Sequence, residues 1–134
     1  MSEFPYESSY EPALPVCEVT LSVATSGHQR TLLAVIDAGA DTTLVPLDHL
    51  TQLGARRVFE ANLRSQWGER RVVYLYLVDI RIDKITLPGI FVVGEELGQE
   101  VVLGRDVLNR VRILLDGPAK ITRILGWKAK RRSE

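Results

Sequence analysis

Two aspartates, Asp37 and Asp41, bracket a run of small residues that follows an apolar stretch. The segment reads Val35-Ile36-Asp37-Ala38-Gly39-Ala40-Asp41-Thr42-Thr43-Leu44-Val45-Pro46. A carboxylate at the end of a buried strand is costly to desolvate, so one kept there points to a task or a partner. The sequence predicts Asp37 in that position. Two carboxylates a few ångströms apart can hydrolyse an amide with no metal and no covalent intermediate, provided they share one proton. Like charges that close cannot both ionise, so one acid stays protonated and the other ionised. The ionised acid takes a proton from water while the protonated one polarises the carbonyl. Such a pair titrates as a unit.

The chain carries one segment of this kind. Its Asp-Gly dipeptide, Asp116-Gly117, is followed by Pro118 and reads as a turn. A dyad therefore needs two chains, with Asp37 of each meeting on a two-fold axis, where every residue faces its own copy. Gly39 lets the loop turn tightly and pass close to its partner. Taken alone, an Asp-x-Gly tripeptide serves equally well to brace a β-turn.

The elements that must position this loop are strands. Val16, Glu18 to Val23 and Leu32 to Ile36 are rich in β-branched and apolar residues. Ser26-Gly27-His28-Gln29 separates them as a turn, which predicts a hairpin. Pro46 to Leu53 is expected to make one or two helical turns ended by Gly54. Arg56 to Leu63 and Arg71 to Ile82 read as long strands on either side of Ser65-Gln66-Trp67-Gly68-Glu69. Leu87 to Val93 is expected as a strand entered through Pro88-Gly89. Val101 to Gly104 is short and apolar, Arg105 to Arg110 a short helix with Val107 and Leu108 facing inward. Arg112 to Leu115 and Lys120 to Leu125 should pair around Asp116-Gly117-Pro118. Many short strands at regular turn spacing mean an all-β barrel or sandwich.

With 134 residues, 46% of them hydrophobic, the chain makes one domain with a real core. We divide it into an extended N-terminal arm (1–15), a central domain (16–126) and a solvated basic tail (127–134). Seventeen basic and seventeen acidic side chains cancel, so no global field points to nucleic acid or an acidic membrane. The apolar runs are too short to span a bilayer, and no signal peptide is visible. The lone Cys17 rules out an internal disulfide and fits a reducing compartment. A cytoplasmic location is the expectation. His28 and His49, the only histidines, lack further ligands at metal spacing. No Gly-rich phosphate loop follows a strand. Neither a metal nor another cofactor is expected.

The acid segment combined with Val101-Val102-Leu103-Gly104-Arg105-Asp106-Val107-Leu108 resembles the retropepsin-like aspartic proteases, in particular bacterial-type single-domain members. The likeness runs from Val16 to Leu125. It implies an all-β, closed-barrel-like acid-protease fold with one short C-terminal helix, working as a homodimer. It implies an aspartic endopeptidase with Asp37 as the catalytic acid and Ala38, Gly39, Ala40, Asp41 and Thr42 forming its loop. Leu103 and Gly104 would pack behind the loop, and Arg105 would reach Asp41. A guanidinium fork bidentate to a carboxylate is a good way to hold a buried acid. The hairpin Phe59 to Tyr74, with Ser65, Gln66, Trp67 and Gly68 at its tip, would be the flap that closes over bound peptide and excludes water. The groove would take an extended peptide with strand-like pairing.

Ala38 departs from the family, which carries Thr or Ser there to hydrogen-bond across to the other chain's loop. Alanine can neither donate nor accept. Activity lowered by this residue is one expectation. A weakly active or inactive peptide-binding or dimerisation module of the same fold is the other.

Overall fold

The computed structural model describes residues 2–64 and 68–126. The expected flap-tip residues Ser65, Gln66 and Trp67 and the expected basic tail lie outside the described residues. In chain order the elements are β1 (Ser2–Pro5), β2 (Val16–Ser22), β3 (Gln29–Ile36), β4 (Leu44–Pro46), α1 (Leu47–Leu53), β5 (Arg56–Arg64), β6 (Arg70–Ile82), β7 (Ile85–Glu95), β8 (Val101–Leu103), α2 (Arg105–Leu108), β9 (Arg112–Asp116) and β10 (Ile121–Gly126).

The strand order β2-β3-β8-β4-β7-β6 closes on itself because Thr20–Ser22 of β2 also pairs with Asp79–Arg81 of β6. That ring is a barrel of mostly antiparallel strands, and closure removes the exposed edges of its sheet. β5 hangs on β6 outside the ring. Two parallel pairings, β3 with β8 and β4 with β7, carry the chain across the end where the acid loop emerges. The inward residues follow the period of two expected of strands. Val19 and Leu21 of β2, Val78, Ile80 and Ile82 of β6 and Val92 of β7 are fully or almost fully buried. α1 presents Leu50 and Leu53 to the same core, and Gly54 in the left-handed conformation ends it. Burying each such side chain contributes about 1.5–3 kcal/mol.

A second sheet, β1-β10-β9, lies against the barrel. Ile124 of β10 is fully buried, with Phe4 of β1 and Ile113 of β9 packed on the core beside it. Ser2–Pro5 of the N-terminal arm is antiparallel to β10, and Glu3 pairs with Arg123 across the two strands.

Pro88-Gly89 does not open β7, contrary to the sequence expectation. The strand starts at Ile85 after a two-residue turn, Asp83-Lys84, in which Asp83 takes φ 55°. Pro88-Gly89 instead sits where the β6–β7 register shifts between Val78 and Ile80. A bulge is where a strand tolerates a residue with no N–H. Gly89 supplies φ 65°, and its N–H donates to Asp79 Oδ1 at 2.9 Å. Among the described residues no helix is long and apolar enough to cross a membrane.

Candidate active site

β3 and β8 run parallel in the register Ala34↔Val101, Val35↔Val102, Ile36↔Leu103. They end level with each other, so Asp37 and Gly104 leave the sheet side by side. The Asp37 N–H donates to the Leu103 carbonyl at 3.1 Å, extending the ladder by one step. Two further bonds fold the chain back. The Gly39 N–H donates to Asp37 Oδ1 at 2.9 Å, and the Ala40 N–H donates to the Asp37 carbonyl at 3.1 Å. A side chain at residue 39 would press on the acid, because a Cβ there would lie 3.2 Å from Asp37 Oδ1.

Gly104 is the floor on which the loop rests. A Cβ at this position would meet the Thr42 carbonyl carbon at 2.7 Å and the Ala40 carbonyl oxygen at 2.9 Å. The packing of Leu103-Gly104 behind the loop thus depends on a missing side chain. The Arg105 N–H adds a bond of 2.8 Å to the Ala40 carbonyl.

The Arg105 guanidinium contacts Asp41, but not as a fork on a buried acid. One nitrogen meets Asp41 Oδ1, and another donates to the Ala38 carbonyl at 2.9 Å. The Asp41 side chain is 81% exposed. Asp41 points off the surface of the loop, so no second oxygen is presented to the guanidinium. An exposed pair of this kind contributes about 0–1 kcal/mol.

Asp37 is likewise exposed in the single chain, not buried as its apolar run suggested. β3 reaches the barrel surface at Ile36, which is only half-buried, and the next three residues stand in solvent. Desolvating this carboxylate requires a second surface.

The firmest hold on the loop is one that the motifs did not reveal. Thr43 is fully buried. Its hydroxyl donates to Asp106 Oδ1 at 2.7 Å and accepts from the Gly104 N–H at 3.1 Å. Its N–H donates to Asp106 Oδ2 at 3.0 Å. Each polar atom of the pair is satisfied by the other or by backbone, and networks of that kind fix one geometry. The available signal was slight: an acid in the first turn of α2 and a threonine just before β4.

Thr42 and Asp106 also border a cleft of about 380 Å³ between the acid loop and the β5–β6 hairpin. Leu63, Val73, Leu75 and Val93 give it apolar walls. The hairpin's described part runs as far as the pair Arg64↔Arg70. Gly68 lies beyond that pair, with φ 84°.

The remaining candidates stay apart from this site. Cys17 is fully buried, and burial pushes its thiol up to about 12. It is protonated and unreactive at neutral pH. Burial and the neighbouring Arg30 lower the pKa of His49. Among the described residues no three His, Cys, Asp or Glu side chains cluster as a metal would require.

Neither a known family model nor a curated protein matches the sequence. Solved structures do. The EIAV protease, solved with the inhibitor HBY-793, superposes with a TM-score of 0.54 at 19% identity, covering 72% of this chain and 86% of that one. A retropepsin-like aspartic protease from Rickettsia conorii gives 0.53 at 17% identity, covering 81% and 90%. The retroviral protease-like domain of Ddi1 from Leishmania major gives 0.51 at 12% identity, covering 84% and 90%. The fold of this chain is retropepsin-like.

Proposed function

We propose that this chain is an aspartic endopeptidase that acts as a homodimer, with Asp37 and the partner's Asp37 as its dyad. The observation that carries the reading is the acid loop itself. It presents one carboxylate to solvent on a backbone held from behind by Leu103, Gly104, Thr43 and Asp106, beside an apolar cleft. In the single chain this carboxylate faces solvent. Set against its twin and closed off from solvent, it shares a proton, and the pair can activate water and a carbonyl together. One acid must remain protonated, so activity should favour acidic pH. An extended peptide would lie across the two loops, with an apolar side chain in the cleft and the β5–β6 hairpin over it as the flap.

A feature of the second sheet supports self-association. β9 is an edge strand and reads Arg112-Ile113-Leu114-Leu115-Asp116. Paired antiparallel with its own copy about Leu114, it sets Arg112 opposite the partner's Asp116 at both ends. Cross-strand ion pairs and apolar pairs of this kind each contribute about 0.2–1 kcal/mol. Leu114 and Leu115 are 42% and 45% exposed in the single chain, which leaves apolar area to cover.

The test is incubation with a peptide library at acidic pH, beside the variant Asp37→Asn. Cleavage by the parent and none by the variant is expected, with equal sedimentation of the two. Cleavage that persists in the variant rules out the dyad. A second reading, a peptide-binding or dimerisation module without catalysis, is favoured by Ala38, which offers its carbonyl to Arg105 and no hydroxyl to a partner. If only Ala38→Thr cuts, the alanine is what silences the site.

A further inference from the structure

We propose that the ion pair between Arg71 and Glu95 is a tie that sets how closely the β5–β6 hairpin stands over the cleft, and so governs peptide binding and not the chemical step. This rests on the endopeptidase reading above.

The topology leaves the hairpin unsupported on one side. The β6–β7 ladder ends at Leu75↔Val93, whereas the β5–β6 ladder continues to Arg64↔Arg70. β7 leaves β6 at that point and turns to β4, pairing Val45↔Gly94 and Pro46↔Glu95. The fork is wedged by Tyr76, whose ring occupies the space of a missing side chain. A Cβ on Gly94 would lie 2.6 Å from a ring carbon. Past the wedge, a hollow of about 210 Å³ separates the hairpin from the loop that follows Glu95.

The pair spans that gap. Arg71 donates from two nitrogens to the two oxygens of Glu95, at 3.1 Å and 2.9 Å. Parallel charge-assisted bonds carry geometric as well as energetic preference. The same carboxylate accepts from the Leu97 N–H at 3.2 Å, so it shapes the loop as it holds the hairpin. The Glu95 side chain is only 12% exposed against 47% for Arg71. Loss of the guanidinium would strand a largely covered charge, which favours movement of the loop, the hairpin or both. That loop leads into β8 and thence to Gly104 under the acid loop. Arg71 and Glu95 are therefore positioning residues, linking the hairpin beside the cleft to the loop that leads into β8.

Two variants test this, Arg71→Met and Glu95→Gln, each compared with the parent by hydrogen–deuterium exchange. Losing a charge-assisted bond of this kind is worth about tenfold in an opening equilibrium. Exchange over residues 70–74 should rise by that factor in both variants, with barrel amides of β2 and β3 unchanged. On any peptide the parent cleaves, KM should rise similarly while kcat stays within about twofold. Unchanged exchange in both variants overturns the tie, whatever the activity. Raised exchange with an unchanged KM, or a fall in kcat at constant KM, overturns its role in binding. Should the parent cleave nothing, the endopeptidase reading falls and the exchange result still decides the tie.

Discussion

At the scale of single residues, the loop depends most on Thr43. Its hydroxyl, itself fully buried, serves Asp106 and Gly104 at once. Thr43→Val keeps the shape and leaves both partners short of a bond. Leaving a buried polar group unpaired costs about 1–3 kcal/mol, so chemical denaturation should show a loss of that order. Asp41→Asn should cost far less, because its partner Arg105 is itself exposed and retains the Ala38 carbonyl. The resemblance implied the second of these contacts and not the first. Asp37 to Asp41 and Leu103 to Arg105 are contiguous motifs of distinctive types. Thr43 and Asp106 are common residues far apart in the chain, and only the pairing of β8 with β3 and β4 brings them together. The exposure of Asp37 was also hidden, since an apolar run shows where a strand is but not where it surfaces.

At the scale of elements, alternation and turn chemistry carried most of the strands. Both helices were legible, α1 through Gly54 and α2 through the Gly104-Arg105 start. The Asp83-Lys84 turn was not, because it lacks the glycine or asparagine that usually marks a two-residue hairpin turn. Pro88-Gly89 took its place in the reading, and a bulge looks like a turn when register is unknown. The fork between β6 and β7 likewise has no local signature. It has a pH dependence that can be stated. The hydrogen bonds from Arg71, followed by that from the Leu97 N–H, hold the Glu95 carboxyl below the usual carboxylate range. A depressed folded-state value means the tie is fully present above the unfolded carboxylate pKa and is lost as pH falls through the folded value. Protection of the hairpin amides, corrected for the pH dependence of intrinsic exchange, should therefore stay flat above the ordinary carboxylate range and fall as pH drops from there through the folded value. Protection that shows no such fall would mean that the pair is not formed in solution.

At the scale of the whole molecule, the retropepsin-like architecture was legible because two motifs and a count of short strands agreed. How two copies would meet in the proposed homodimer was not, since no motif encodes a strand edge. The β9 register makes that meeting testable by charge reversal. Arg112→Asp sets like charges opposite each other at both ends and should weaken self-association by about tenfold, as should Asp116→Arg. The double reversal restores opposite charges and should recover most of the loss, as read by sedimentation at several concentrations. Failure of the double variant to recover would mean that β9 does not pair with its copy.

The one cysteine of the chain gives a clock for such experiments. Cys17 lies on an inner strand with none of its surface accessible. A thiol reagent can reach it only when the barrel comes apart. Its labelling rate should therefore ignore Arg71→Met and Arg112→Asp, which act outside the barrel, and quicken with Thr43→Val if the loop's anchor also holds the β3–β8 seam shut.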